Sequence, residues 1–221
     1  MYIAATPVTP ALSAVYDELL TRASAPPLAD RSEALRKAFV TRTQGSVASQ
    51  SPEPEARVRA SWDDALTTGG LAKAISESFD DPAERSLARA LSRAHRSLFR
   101  IAYVDDCRIA EDLLSGASFL ILPRDDIGRA AFAGEQTGED PLFDARIVAA
   151  SDGCATLPGI IFHPTDATPH IYRIIDTARA RGLSSGQVCD ALLRMEHTFA
   201  TLSRVKIAFA YRVQALDAKA P

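Results

Sequence analysis

The spacing of apolar residues changes period twice along this chain, and those two changes bound what it can fold into. Up to about residue 96, apolar positions recur every third or fourth residue, as on a helix face. From Ser97 they alternate, as on a strand, and from Thr168 the helical spacing returns. A chain that runs helical, then extended, then helical again is expected to be α+β, because its strands come consecutively rather than interleaved with helices.

The N-terminal region, 1–96, carries several helix signals. Thr9-Pro10 reads as an N-cap with proline at the first helical position, ahead of Leu12, Val15, Tyr16, Leu19 and Leu20. Pro26-Pro27 breaks that helix, and Asp30 with Glu33 makes a capping-box pattern for the next. The polar stretch from Gln44 to Pro54 reads as a loop. Val58, Trp62 and Leu66 mark a third helix, Gly69-Gly70 punctuates it, and Leu71, Ile75 and Phe79 follow. Asp81-Pro82-Ala83-Glu84 then caps a basic helix.

Between Ser97 and His163 the alternation predicts five short strands in an antiparallel sheet or small, partly open barrel. Phe99, Ile101 and Tyr103 face one way. Cys107 to Leu113, Ser118 to Leu122, Leu142 to Ala150 and Cys154 to Phe162 supply the other four strands. Asp125 to Phe132 is expected to form one or two helical turns, and Gly134 to Pro141 a polar loop. In 164–213 the spacing predicts a helical hairpin that packs with the N-terminal helices. Thr168-Pro169 opens it, Ile171, Ile174, Ile175 and Ala178 face inward, and Gly182 ends the first helix in a left-handed cap. Ser184 with Gln187 starts the second helix. Its apolar positions (Val188, Leu192, Met195, Phe199, Leu202, Val205, Phe209) step near the heptad period. Unbroken to Val213, that helix would be roughly 40 Å long. Residues 214–221 read as a frayed tail.

For function the most distinctive segment is 85–104, with five arginines, one histidine and no acid in a chain of formal charge -3. On a helix, Arg85, Arg89, Arg93 and Arg96 fall within roughly 80° of one another, opposite Leu87, Leu91, Ala94 and Leu98. Such a stripe suits an acidic protein partner. Alternatively it is a solvated face neutralised by Asp63, Asp64, Asp80 or Asp81. Arginine forks also suit phosphate, so a nucleic-acid-binding regulator is the rival reading, against which the net negative charge stands. Only four of the 25 basic residues are lysine, and alanine is abundant. That bias fits a GC-rich bacterial coding genome and weakens the arginine count as evidence.

Cys154, His163, Asp166 and His170 form the richest chemical set, and a small hydrolase-like enzyme using Cys154 with His163 is the second alternative. No spacing here matches a catalytic, metal or phosphate-binding signature, and no cofactor is implied. Adjacent acids (Asp105-Asp106, Glu111-Asp112, Asp125-Asp126) read as turn residues. Three cysteines without close spacing argue against a disulfide framework, no apolar run spans a membrane, and a cytoplasmic setting is the default. The expectation is therefore a non-catalytic, cytoplasmic protein-binding or regulatory protein contacting its partner through the arginine stripe. A homodimer through Val188, Leu192, Met195, Phe199 and Leu202 is the candidate assembly.

Overall fold

The computed structural model describes residues 2–3, 10–44, 54–104, 107–121, 141–150, 153–202 and 204–217. It is α+β, as the two period changes imply. Five helices precede the central strands: α1 (Pro10–Ser24), α2 (Ala29–Thr43), α3 (Pro54–Leu66), α4 (Leu71–Ser76) and α5 (Pro82–Leu91). The strands are β1 (Tyr2–Ile3), β2 (His95–Val104), β3 (Cys107–Asp112), β4 (Ser118–Ile121), β5 (Leu142–Ala150), β6 (Gly153–Thr156) and β7 (Ile161–Phe162). Helices α6 (Thr168–Ala180), α7 (Ser185–Thr201) and the short α8 (Ile207–Ala210) close the chain, followed by a 3-10 turn at Val213–Asp217.

Antiparallel pairing joins β4, β3, β2, β5 and β6 in that order. Phe99 stands between Asp112 and Phe143, and Ile147 faces Thr156. Strand β1 adds in parallel to β4, and β7 extends the far edge of β5 beyond β6. The sheet curls until β4 approaches β6, making a half-barrel. Phe99, Ile101, Phe119, Phe143, Ala145, Ile147 and Cys154 fill its concave side. The rings of Phe99 and Phe119 meet edge-on at 6.0 Å. Burying each such side chain contributes on the order of 1.5–3 kcal/mol.

Helices cover the other face in two groups. Val148 packs against a cluster of α1, α4 and α5 that includes Leu12, Leu19, Leu71 and Leu91. Leu98 and Leu142 pack against α6, α7 and α8 through Ile171, Ile174, Leu192 and Tyr211. Several local signals hold. Asp81 caps α5 by accepting from the Ala83 amide at 2.8 Å, Gly182 ends α6 at φ 67°, and Ser184 with Gln187 forms a full capping box. Leu183 N–H reaches back to the Ala178 carbonyl at 3.0 Å, completing the left-handed cap.

Other expectations are corrected. Asp30 lies inside the first turn of α2 and Thr168 inside that of α6, and neither preceding residue, Leu28 or Ala167, caps through its side chain. The single strand expected from Cys154 to Phe162 divides into β6 and β7. Between them Gly159 presses on α3 so closely that a Cβ there would sit 2.4 Å from the Ala60 backbone. The long last helix also stops early, at Thr201, about 25 Å from its start. Leu202 is extended, Arg204 adopts a left-handed φ of 68°, and the chain folds back so that Ala210 and Tyr211 enter the core. Docking α8 against α7 buries more apolar surface than a straight extension into solvent would. Asp125 to Phe132 and the loops around residues 45–53 and 134–140 lie outside the described residues.

Candidate functional site

Strand β5 holds the least ordinary arrangement in the molecule. Every residue from Leu142 to Val148 is buried, so both faces of the strand are covered, yet one face carries Asp144 and Arg146. The pleat aims them toward the helices, between the two apolar clusters. Burying charge costs several kcal/mol per ion unless it is paired, and here each charge is paired twice or nearly so. Arg96 from β2 grips Asp144 with Nε at 3.1 Å and Nη2 at 2.8 Å, and its Nη1 reaches Asp190 of α7 at 2.6 Å. Asp190 also accepts from Arg42 of α2 at 2.9 Å, and Arg42 contacts Asp64 of α3 at 2.7 Å. Asp64 in turn accepts from Arg146 at 2.6 Å, and Thr67 accepts from the Arg146 Nε at 3.1 Å.

Three acids and three arginines thus alternate in a ring that leaves β5 at Asp144 and returns to it at Arg146. It passes through β2, α7, α2 and α3 on the way. Its charges sum to zero. Burial opposes the charged form of Arg96, but Asp144 and Asp190 outweigh it and hold the guanidinium above its ordinary value. Arg146 is pushed the other way by burial and by Arg96, with Asp64 opposing; both remain protonated across ordinary pH. Arg42 is the ring's outlet to solvent, with a side chain one-third exposed.

A second buried acid, Asp63, accepts from the Tyr16 hydroxyl at 2.6 Å and the Gly159 amide at 2.7 Å. Burial pushes its carboxyl up to about 6. On the concave side the Asp112 carboxylate takes the His95 ring nitrogen at 2.6 Å, the Ser97 and Ser115 hydroxyls, and the amides of Leu114 and Ser115. Those bonds hold it below the usual carboxylate range, although burial works against them.

The residues singled out from sequence fall in different places. Helix α5 ends at Leu91, so Arg96 leaves the expected helix face, enters β2 and joins the buried ring. Strand geometry and two carboxylate partners account for that correction. Arg85 donates to the Phe79 carbonyl at 2.6 Å, Arg89 pairs with Glu77 at 2.7 Å, and Arg93 is exposed. Of the acids expected to neutralise the stripe, Asp63 and Asp64 serve the interior and Asp81 caps α5; Glu77 does the work at Arg89.

Cys154 and His163 are separated. Cys154 sits inside the half-barrel, where burial pushes its thiol up. His163 faces Tyr211, its Nδ1 3.0 Å from the hydroxyl, and burial pushes its imidazole down to about 4. Asp166 is exposed in the turn Thr165–Ala167 and His170 lies in the first turn of α6. Among the described residues no group of three or more His, Cys, Asp or Glu is placed to hold a metal, and no helix is long and apolar enough to cross a membrane. Val188, Leu192 and Met195, the proposed dimer seam, are buried in this chain's own core; Leu202 is half-exposed.

Sequence reading missed one further feature, a cleft between the end of α7, α8 and the last turn. Its volume is about 390 Å³, within the usual range of ligand sites. Arg194, Met195, Thr198, Phe209, Arg212 and Asp217 line it. Phe209 is 53% exposed, with the Arg212 guanidinium 4.5 Å above its ring. Arg194 donates from Nη1 to the Arg42 carbonyl at 2.9 Å, while its Nε is buried without a partner among the described residues. The break at Leu202 creates this cleft, and helical periodicity alone runs straight through it. No family model matches the chain, and no curated protein or solved structure matches it.

Proposed function

We propose that this protein is a non-catalytic binding protein that takes an acidic, apolar-anchored segment of a partner protein into the cleft beside α8. One observation carries the reading: an exposed phenyl ring and two arginines, Arg194 and Arg212, line the same cleft. Phe209 and Met195 offer an apolar side chain a surface to cover. Arg194 and Arg212 offer a carboxylate charged donors, and Arg204 and Lys206 add positive charge on the preceding turn. A non-catalytic role fits the remaining chemistry as well. Cys154 is a buried thiol with a raised pKa, and the imidazole expected to activate it lies elsewhere. The contact surface moves here from the arginine stripe, because Arg85, Arg89 and Arg96 already have partners in the fold.

Selection from a random hexapeptide library tests the proposal. Enrichment of peptides pairing Asp or Glu with Phe, Leu or Met is the expected outcome, with affinity at least tenfold weaker for Arg212→Glu and falling with added salt. Equal binding by wild type and Arg212→Glu, or no enrichment of acids, contradicts it. Selective binding of single-stranded DNA or RNA in the same format would favour the nucleic-acid reading instead.

A further inference from the structure

The run of paired charges and the surface cleft meet at one residue. Asp190 and Arg194 stand one helical turn apart on the same face of α7, and both hold Arg42 in the last turn of α2. Asp190 takes the Arg42 side chain, accepting from its Nε at 2.9 Å. Arg194 takes the Arg42 backbone, donating from Nη1 to the carbonyl at 2.9 Å. The Arg42 Nη2 reaches Asp64 of α3 at 2.7 Å, and the guanidinium lies 5.3 Å from the centre of the Phe39 ring one turn earlier. Arg42 is thus held by its side chain and by its backbone, and it fixes the end of α2 against α3 and α7.

That end of α2 is a wall of the cleft. Gln44 closes the helix in a left-handed conformation, at φ 53°, and lines the cleft together with Arg194 and Arg212. Arg194 has little besides Arg42 to hold its guanidinium. Its Nε is buried with no partner among the described residues, and burial works against its charge while Asp190 favours it. An arginine free to sample many rotamers loses that freedom on meeting a guest, whereas one already held by a hydrogen bond loses less.

We propose that Arg42 is a positioning residue of the cleft. Its pairs with Asp64 and Asp190 set its carbonyl, the carbonyl sets Arg194, and Arg194 meets the acid of the guest. This role rests on the cleft being the site for an acidic segment. Arg42→Met should fold, because Asp64 keeps Arg146, Asp190 keeps Arg96, and Phe39 still packs with Leu193.

The first readout needs no guest. In NMR spectra of the isotopically labelled full chain, the Arg194 side-chain Nε–H signal is identified by its loss in Arg194→Met. It should exchange slowly with water in wild type and severalfold faster in Arg42→Met. The second readout uses the hexapeptide that wild type enriches most strongly. Arg42→Met and Arg194→Met should each bind it severalfold more weakly, and the double variant no more weakly than Arg194→Met alone, since one residue acts through the other. Ile147→Val, on the concave face of the sheet, should bind like wild type and controls for lost stability. An Arg194 signal that exchanges equally slowly in wild type and Arg42→Met, or peptide losses that add in the double variant, would overturn the positioning role. A wild type that enriches no acidic peptide would overturn the cleft as partner site instead, and the Arg194 signal would then decide whether Arg42 holds that side chain.

Discussion

The two faces of the half-barrel sheet are buried by opposite means. On the concave side, apolar and aromatic side chains fill the curve, and Asp112 sits among its own hydrogen-bond donors. On the helix-facing side, Leu98 and Leu142 bind one helical group and Val148 the other, while the space between is occupied by the alternating ring of Arg and Asp. The first face is held by contacts that are numerous, weak and non-directional. The second is held by a few directional bonds, each of which also neutralises a buried charge. Because the ring runs through α2, α3, β2, β5 and α7, it ties the N-terminal helices, the sheet and the C-terminal hairpin into one geometry. An apolar seam would allow these parts to slide; a run of paired charges anchored at both ends on β5 has one register.

The contrast predicts graded consequences. The largest loss should come from Arg96→Met, which leaves the Asp144 carboxylate buried without its bidentate partner. Breaking a buried pair on one side typically costs about 3–5 kcal/mol, and the urea midpoint should fall accordingly. On the concave face Ile147→Val removes one methylene from a closely packed region, and a loss of about 0.5–1.5 kcal/mol is expected. Equal losses for the two would erase the distinction between the faces. The smallest effect should come from the rim. Arg181→Ala removes an exposed pair with Asp217 and should shift stability by less than about 1 kcal/mol.

Asp63 sharpens the comparison through pH. Its folded pKa, about 6, lies above the ordinary carboxylate value because burial disfavours the anion. The folded state therefore holds this proton more tightly than the unfolded chain does. The resulting stability is present in full below the unfolded pKa, near 4, and is lost as pH rises through about 6. Between those values Asp63 should contribute a decline of at most about 1.4 kcal/mol per pH unit. Asp63→Asn should remove that slope from denaturant midpoints measured from pH 4 to pH 7, and an unchanged slope would reject the assignment.

Much of the architecture was legible from the sequence because its signals are local. Ser184 with Gln187, Gly182 and Asp81-Pro82 act within a few residues of themselves, and alternation along Phe99-Ile101 and Phe143-Ala145-Ile147 announces strands directly. The ring was not legible, since its partners are as far apart as Arg42 and Asp190 and no periodicity links them. One signal was present: Asp144 and Arg146 occupy alternate positions in a strand whose other face is wholly apolar. Charged residues there meant either a solvent face or a buried pair, and only the covering helices decide which. Arg96 was misplaced for a related reason, because the basic run continues across the end of α5 and helical spacing was carried two turns too far. The cleft was hidden by the same error at Leu202.

A double-mutant cycle on Arg96 and Asp144 tests whether the ring charges are buried as mutual partners. The remaining members keep partners in each variant, since Asp190 retains Arg42 and Arg146 retains Asp64. Arg96→Met and Asp144→Leu should each be strongly destabilising, and the combined variant should be markedly more stable than the sum of the two losses predicts, with a coupling of roughly 1–3 kcal/mol. Losses that simply add would mean that the two side chains are stabilised independently, and the ring would no longer explain how the sheet and its two helical groups are joined.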